Sequence, residues 1–236
     1  MSVISAQGLT KRYGAVTAVD GLSFELVPGR VTGFLGANGS GKSTTIRLLL
    51  GLARPARGAI TIGGLRYGEL SDPLRHIGAL VDPGVFHPGR TGRSALRVIA
   101  KSARIPAARV DEVLALTGLT SAAGRRVGGY STGMKQRLAL AAALLGDPET
   151  LVLDEPANGL DPEGVHWLRQ LIRSLAAEGR TVFVSSHLLA ELAHTVDDVL
   201  VINRGHLLAH EPLETLLLRG ANLEDVFLEL TARDAS

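Results

Sequence analysis

The spacing of apolar residues changes character several times along the chain. Val3–Leu9 and Val19–Leu26 alternate in part between apolar and polar positions, the rhythm of half-buried strands, and Pro28-Gly29 marks a turn after the second. Arg30–Leu35 is a short apolar strand that runs into the glycine-rich loop Gly36–Gly41. A helix is expected from Lys42 to about Leu50, with Gly51 as its stop. Ala59–Ile62 and Ile77–Val81 read as further strands. From about Pro88 to Leu145 the period turns helical: Val110, Val113, Leu114 and the stretch 116–119 fit helical spacing, and Gly118 or Gly124 can end that helix. Leu151–Leu153 then reads as a strand. Asp161-Pro162 opens a helix with an N-cap and a proline at its first position, and Val165, Leu168, Leu171, Ile172 and Leu175 form its apolar face up to Gly179. Thr181–Val184 is a strand, and Val199–Ile202 with Leu207–Ala209 predicts a hairpin across 203–205. Leu223, Val226, Phe227 and Leu230 make one helical stripe after Asn222.

Strands alternating with helices predict an α/β body whose sheet is mostly parallel and covered on both faces, with a helical segment inserted over 88–146. The 236 residues suit one large domain, or one domain with a subdomain. At 45% hydrophobic and 20% charged the chain can build a sizeable core. A net charge of +2 without a Lys/Arg run gives no reason to expect nucleic acid as a partner. The absence of cysteine removes disulfides, thiol catalysis and thiolate metal sites. Mean hydropathy is positive, yet a span needs about 20 apolar residues, and the longest candidate, Leu138–Leu145, reads as a buried helix. Met1–Tyr13 has no secretory-signal pattern. Membrane work by this protein would therefore need another chain.

Gly36-Ala37-Asn38-Gly39-Ser40-Gly41-Lys42-Ser43 fits the P-loop pattern G-x-x-x-x-G-K-[ST]. Glycines let the backbone curl so that N–H groups converge on phosphate oxygens, and the following helix adds its positive end. Gly36, Asn38, Gly39, Ser40, Gly41, Lys42, Ser43 and Thr44 form the expected nucleotide-holding set. Lys42 can bridge the β- and γ-phosphates and Ser43 can ligate Mg²⁺. An ordinary glycine-rich turn is the blander alternative; the strand before and the helix after argue against it.

Leu151-Val152-Leu153-Asp154-Glu155 is an apolar strand ending in two acids. Ligands of open α/β sheets sit at such strand ends. Asp154 can hold Mg²⁺ through its water shell, and Glu155 can act as general base on the attacking water. A strand ending in solvated acids is common in itself; beside a P-loop the pair gains its chemical meaning.

Tyr130-Ser131-Thr132-Gly133-Met134-Lys135-Gln136-Arg137, placed before the acidic strand, resembles the ABC signature. Over nearly the whole chain the order of P-loop, signature, acidic strand, Asp161 and His187 resembles ABC ATPases. Ala157-Asn158-Gly159-Leu160-Asp161 looks like the D-loop, Ser185-Ser186-His187 like the switch-histidine strand end, and Tyr13 like the A-loop aromatic. The resemblance implies a single ABC ATPase domain with a RecA-like P-loop NTPase core and an N-terminal antiparallel β subdomain, spanning 1–87 and 147–236, and a helical subdomain over 88–146. It implies ATP and Mg²⁺ as cofactors, a head-to-tail dimer with a second ABC ATPase protomer, an integral-membrane permease as partner, and a cytoplasmic place on the inner face of a bacterial membrane. Within that picture Ser131 and Gly133 contact the γ-phosphate held by the other protomer, Asp161 belongs to the nucleotide site, His187 bonds the γ-phosphate, and Tyr13 stacks on adenine.

The chain departs from the family pattern in two places. Tyr130, Thr132 and Met134 replace the usual signature residues, and Asp82 stands where most members carry the Q-loop glutamine that touches Mg²⁺ or water and connects to the permease. The run Phe86-His87-Pro88-Gly89-Arg90-Thr91-Gly92-Arg93 and the tail Leu223–Leu230 resemble bacterial export ATPases of the bacitracin-resistance and antibiotic-efflux type. An importer ATPase would share the chemistry but not these motifs. A ribosome- or DNA-acting member would usually carry a second cassette or long coiled coils, and a small-molecule kinase would not need the signature.

Overall fold

The computed structural model describes residues 3–82, 86–186, 189–220 and 222–233. In chain order these form β1 (Ile4–Tyr13), β2 (Val16–Leu26), β3 (Val31–Leu35), α1 (Lys42–Leu49), β4 (Arg57–Ile62), α2 (Pro73–His76) and β5 (Ile77–Leu80). Then come α3 (Gly92–Ser102), α4 (Ala107–Leu116), α5 (Thr132–Leu144), β6 (Thr150–Asp154), α6 (Pro162–Ala177), β7 (Thr181–Ser186), α7 (Leu189–Ala193), β8 (Asp198–Asn203), β9 (His206–Pro212), α8 (Leu213–Leu217) and α9 (Leu223–Arg233).

Two sheets result. A three-stranded antiparallel sheet has the order β2-β1-β4, and a six-stranded sheet has the order β5-β6-β7-β3-β8-β9. Within the larger sheet every pairing is parallel except β8 with β9. The expected α/β architecture with an N-terminal antiparallel β layer is therefore present. β1 and β2 run beyond the apolar pattern that predicted them, pairing Lys11 with Val19 and Tyr13 with Val16. That tip is largely exposed, so no burial rhythm marks it.

Side-chain alternation splits the central strands between two cores. Leu151 and Leu153, Val182 and Val184, and Val199 and Val201 pack with α6 and with Leu96, Val113 and Leu138 of the helical stretch. Val152, Phe183, Leu200 and Phe34 pack on the other face with α1 and the antiparallel sheet. Phe34 stacks on Phe183 with ring centroids 4.9 Å apart. Each strand is thus buried on both faces, which is why these segments read as continuous apolar runs. Helix α5 lies very close on β5: a Cβ on Gly78 would meet the carbonyl oxygen of Ala143 at 2.0 Å.

The predicted stops operate as expected. Gly118 (φ +69°) follows α4, and Gly179 (φ +93°) follows α6, whose N-cap Asp161 accepts from the Gly164 N–H at 2.8 Å. The β8–β9 hairpin turns through Arg204 and Gly205, both at positive φ. At the foot of β3, Asp197 accepts from the Val31 N–H (2.8 Å) and from Arg173 (2.6 Å), and the Arg30 guanidinium forks onto Asp198 at 2.5 and 2.7 Å. Burial raises the Asp197 pKa, but those hydrogen bonds and the charges of Arg173 and Arg30 outweigh it, leaving the carboxyl below its ordinary value. Among the described residues no helix is long and apolar enough to cross a membrane.

Candidate active site

Parallel pairing brings the C-terminal ends of β6, β7 and β3 to one edge of the sheet. Asp154 is in register with Ser185, and Ser186 with Leu35, the last residue before the loop. The acidic pair and the P-loop therefore sit two strand spacings apart, about 10 Å.

The loop is closed by its own backbone and by neighbours. Ser40 N–H donates to Ala37 O (3.1 Å), and Ser40 O accepts from Gly205 N–H (2.8 Å), whose own carbonyl accepts from Asp20 N–H (2.9 Å). A Cβ on Gly36 would meet Ser40 Oγ at 2.3 Å and Ile202 O at 2.5 Å; one on Gly41 would meet Ala18 O at 2.5 Å. Those two glycines are therefore demanded by space. Gly41 also adopts φ +114° to start α1, with no side-chain cap and no acid in the first turn. The N–H groups of that turn are thus left to a ligand, in a field that favours an anion. Ser40 Oγ is buried and has no protein partner, as a phosphate-binding hydroxyl would. Asn38 and Gly39 are exposed at the tip, Ser43 is exposed and Thr44 half-buried.

Lys42 is 7% exposed and its Nζ donates to Gly36 O (2.6 Å) and Ala37 O (3.3 Å), folding back over the loop. Burial lowers its pKa; Glu155 and then Asp154 partly offset this. The ammonium and both carboxylates thus share one electrostatic neighbourhood, which is the grouping the sequence predicted.

The acids are held by other elements. Ser185 Oγ donates to Asp154 Oδ1 (2.5 Å) and accepts from Glu155 N–H (3.0 Å). Glu155 has φ +50°, left-handed for a non-glycine residue. From α5, Gln136 Nε2 donates to Glu155 O (3.3 Å) and Pro156 O (2.9 Å). Ser185 and Gln136 were not among the predicted site residues; the sequence marked them only as a serine at a strand end and a glutamine in the run 130–137, and their contacts come from the β6–β7 register and the closeness of α5. Ser43 and Asp154 are oxygen donors, and among the described residues no cluster of three or more metal-binding side chains is gathered. Such a pair fits a magnesium ion that completes its shell with phosphate and water oxygens.

Other predicted residues lie further out. Ser131 caps α5 by accepting from Met134 N–H (3.2 Å), and Gly133 packs on Gly159, where an added Cβ would lie 3.2 Å from Gly159 O. Both belong to the surroundings of the Asp154–Asp161 segment, and Asp161 itself is the α6 cap. Tyr13 is half exposed at the end of β1, with Lys11 Nζ 4.9 Å from its ring centroid. Asp82 is exposed just past β5, at the same sheet edge as the acids. A cleft of about 240 Å³ beside it is lined by Leu80, Val81, Phe86, Ile99 and Ala139. His187 lies outside the described residues.

A family model described as ABC transporter matches residues 19–158. The chain is 45% identical over 221 residues to the bacitracin transport ATP-binding protein BcrA of Bacillus licheniformis, covering 92% of this chain and 72% of that protein. It is 32% identical to the lantibiotic transport ATP-binding protein SrtF of Streptococcus pyogenes, covering 95% of this chain and 96% of that one. A solved structure of an ATP binding subunit of an ABC transporter superposes with a TM-score of 0.88 at 28% identity, covering 97% of this chain and 99% of that chain.

Proposed function

The chain belongs to the ABC transporter family as an ATP-binding, ATP-hydrolysing subunit, and from that membership we propose that it drives export of an antibiotic or peptide through a separate membrane permease. The observation that carries the chemistry is the shared edge of the P-loop and the Asp154–Glu155 pair, with Lys42 electrostatically linked to both acids. Export is supported by similarity to BcrA and SrtF, whose names give bacitracin and lantibiotic transport. The apolar cleft beside Asp82 supports a docking place for the permease.

In this reading the first turn of α1, Ser40 and Lys42 bind the triphosphate. Lys42 exchanges its two loop carbonyls for phosphate oxygens. Glu155 takes a proton from water as the water oxygen bonds to the γ-phosphorus, and the bond from phosphorus to the β–γ bridging oxygen breaks to leave ADP. Ser43 and Asp154, with Asp82 nearby, would hold Mg²⁺, which supplies charge neutralisation to the phosphates when bound. Tyr13 stacks on adenine, and His187 and Asp161 complete the nucleotide site. Ser131 and Gly133 serve the γ-phosphate of a second copy in a homodimer, closing it when ATP is present. Residues 88–146 act as the helical subdomain, and the assembly sits at the inner face of the membrane.

The test is recovery of the Glu155→Gln chain, tagged, from native membranes with ATP. Co-purification of a polytopic membrane protein that lacks its own ATPase domain is the expected result. Recovery only from the soluble fraction, with ribosomal or DNA-bound partners, would overturn the transporter reading while leaving the ATPase intact.

A further inference from the structure

Both backbone polar groups of Glu155 are reached from elements outside its own segment. The N–H is taken by Ser185, through its carbonyl (3.2 Å) and hydroxyl (3.0 Å) oxygens. The C=O accepts from Asn158 N–H within its own turn (3.2 Å) and from Gln136 Nε2 of α5 (3.3 Å). A left-handed residue other than glycine costs about 1–3 kcal/mol and persists only where its surroundings hold it. The amide of Gln136 carries two hydrogens on Nε2 and meets two carbonyls, Glu155 O and Pro156 O, so its donor end is fixed by its partners.

Gln136 is only half satisfied where it lies. It is 3% exposed and its Oε1 is buried without a partner. Leaving an acceptor orphaned costs about 1–3 kcal/mol, and the residue is kept where its Nε2 serves the carbonyls of Glu155 and Pro156. The same helix meets the acidic segment again at Gly159, where a Cβ would strike Thr132 Cγ2 at 2.5 Å, and it meets α6 where Arg137 lies over the Trp167 ring at 4.0 Å. Helix α5 and the Glu155 loop are therefore in register, and Gln136 is the link nearest the carboxylate.

We propose that Gln136 is a positioning residue for ATP hydrolysis, carrying the placement of α5, whose N-terminus bears Ser131 and Gly133, to the backbone and so to the carboxylate of Glu155. The proposal rests on Glu155 as general base. A displacement of α5 would then re-aim the base before any other group at the sheet edge, making turnover answer to the state of the signature helix.

The experiment compares Gln136→Leu, Glu155→Gln and the double variant of the full chain by Mg-ATP turnover, ATP affinity and thermal melting. Gln136→Leu is expected to lose on the order of 10–100-fold in kcat, the scale of a misplaced catalytic group. ATP affinity should stay within about twofold, and the melting temperature should fall by only a few degrees, because the buried Pro156 carbonyl loses its donor. The double variant should turn over no more slowly than Glu155→Gln alone, since the two act as one unit. Unchanged kcat in Gln136→Leu, losses that multiply in the double variant, or a kcat loss matched by lost ATP affinity would each overturn the link. Wild-type turnover by Glu155→Gln alone defeats the base assignment, and the proposal with it. If Gln136→Leu does not fold, Gln136→Glu replaces it. A carboxylate there cannot donate until protonated, so turnover relative to wild type should rise as pH falls from about 8 to about 6. A flat ratio overturns the proposal.

Discussion

The P-loop and the Asp154–Asp161 segment face the same ligand site but are built in opposite ways. Much of the loop's shape is written into its own residues: two glycines without room for a Cβ, a left-handed Gly41 and a helix that starts at once. The acidic segment makes turn bonds of its own, Asn158 N–H to Glu155 O and Leu160 N–H to Ala157 O, but is also held from other elements. Its left-handed Glu155 is fixed by Ser185 from β7 and Gln136 from α5, and its Gly159 by Thr132. The first region takes much of its shape from its own glycines, with a brace from Gly205; the second is positioned more by side chains from other elements. Binding and turnover should accordingly fail separately.

Paired substitutions split the two regions most widely. Glu155→Gln should lower kcat on the order of 10²–10⁴-fold while ATP affinity holds, whereas Lys42→Ala should lose ATP affinity itself; equilibrium binding beside steady-state hydrolysis reads both. Gly36→Ala should break the cradle, because its Cβ lands 2.3 Å from Ser40 Oγ within the loop and 2.5 Å from the Ile202 carbonyl of β8. The expected cost is on the order of 1–3 kcal/mol of stability, together with weakened nucleotide binding, measured by denaturant unfolding and by titration with ATP. Ser185→Ala should loosen only the acids: it removes one donor to Asp154 and one acceptor for Glu155. Turnover should fall by about tenfold with ATP affinity kept, the scale of one lost hydrogen bond to a charged group. The smallest effect concerns the foot of β3, far from both acids. Asp197 has a depressed pKa in the folded chain, so its stabilisation is present above the ordinary carboxylate pKa and is lost as pH falls through the lower folded value. Wild type should exceed Asp197→Asn in stability at neutral pH, and the gap should close below about pH 4, as followed by thermal melting across pH.

The same contrast explains how much could be read beforehand. The strands β3, β6 and β7, the loop, Lys42 and the acidic pair are each marked by local residue types, and they appear where the pattern placed them. The antiparallel tip of β1 and β2 was legible only in its buried half, since Lys11, Arg12 and Tyr13 carry no burial signal. Ser185 and Gln136 had ordinary local patterns: a serine at a strand end and a glutamine in a helix. Their roles arise from the β6–β7 register and the closeness of α5, which are properties of pairing across many residues.

The place of β3 in the sheet has a consequence for synthesis. Its two neighbours are β7 and β8, and the P-loop is braced through Gly205, all encoded far downstream of the loop itself. A chain leaving the ribosome therefore exposes its Gly-Lys-Ser sequence long before the strand beneath it can pair on either side. The cradle becomes whole only after residue 205 has emerged, and with contacts of such long sequence range the assembly step is a slow one. Nucleotide uptake by a newly made subunit is therefore expected only once the β8–β9 hairpin has closed, and a nascent fragment that carries the motif but stops short of residue 205 is expected to stay empty-handed.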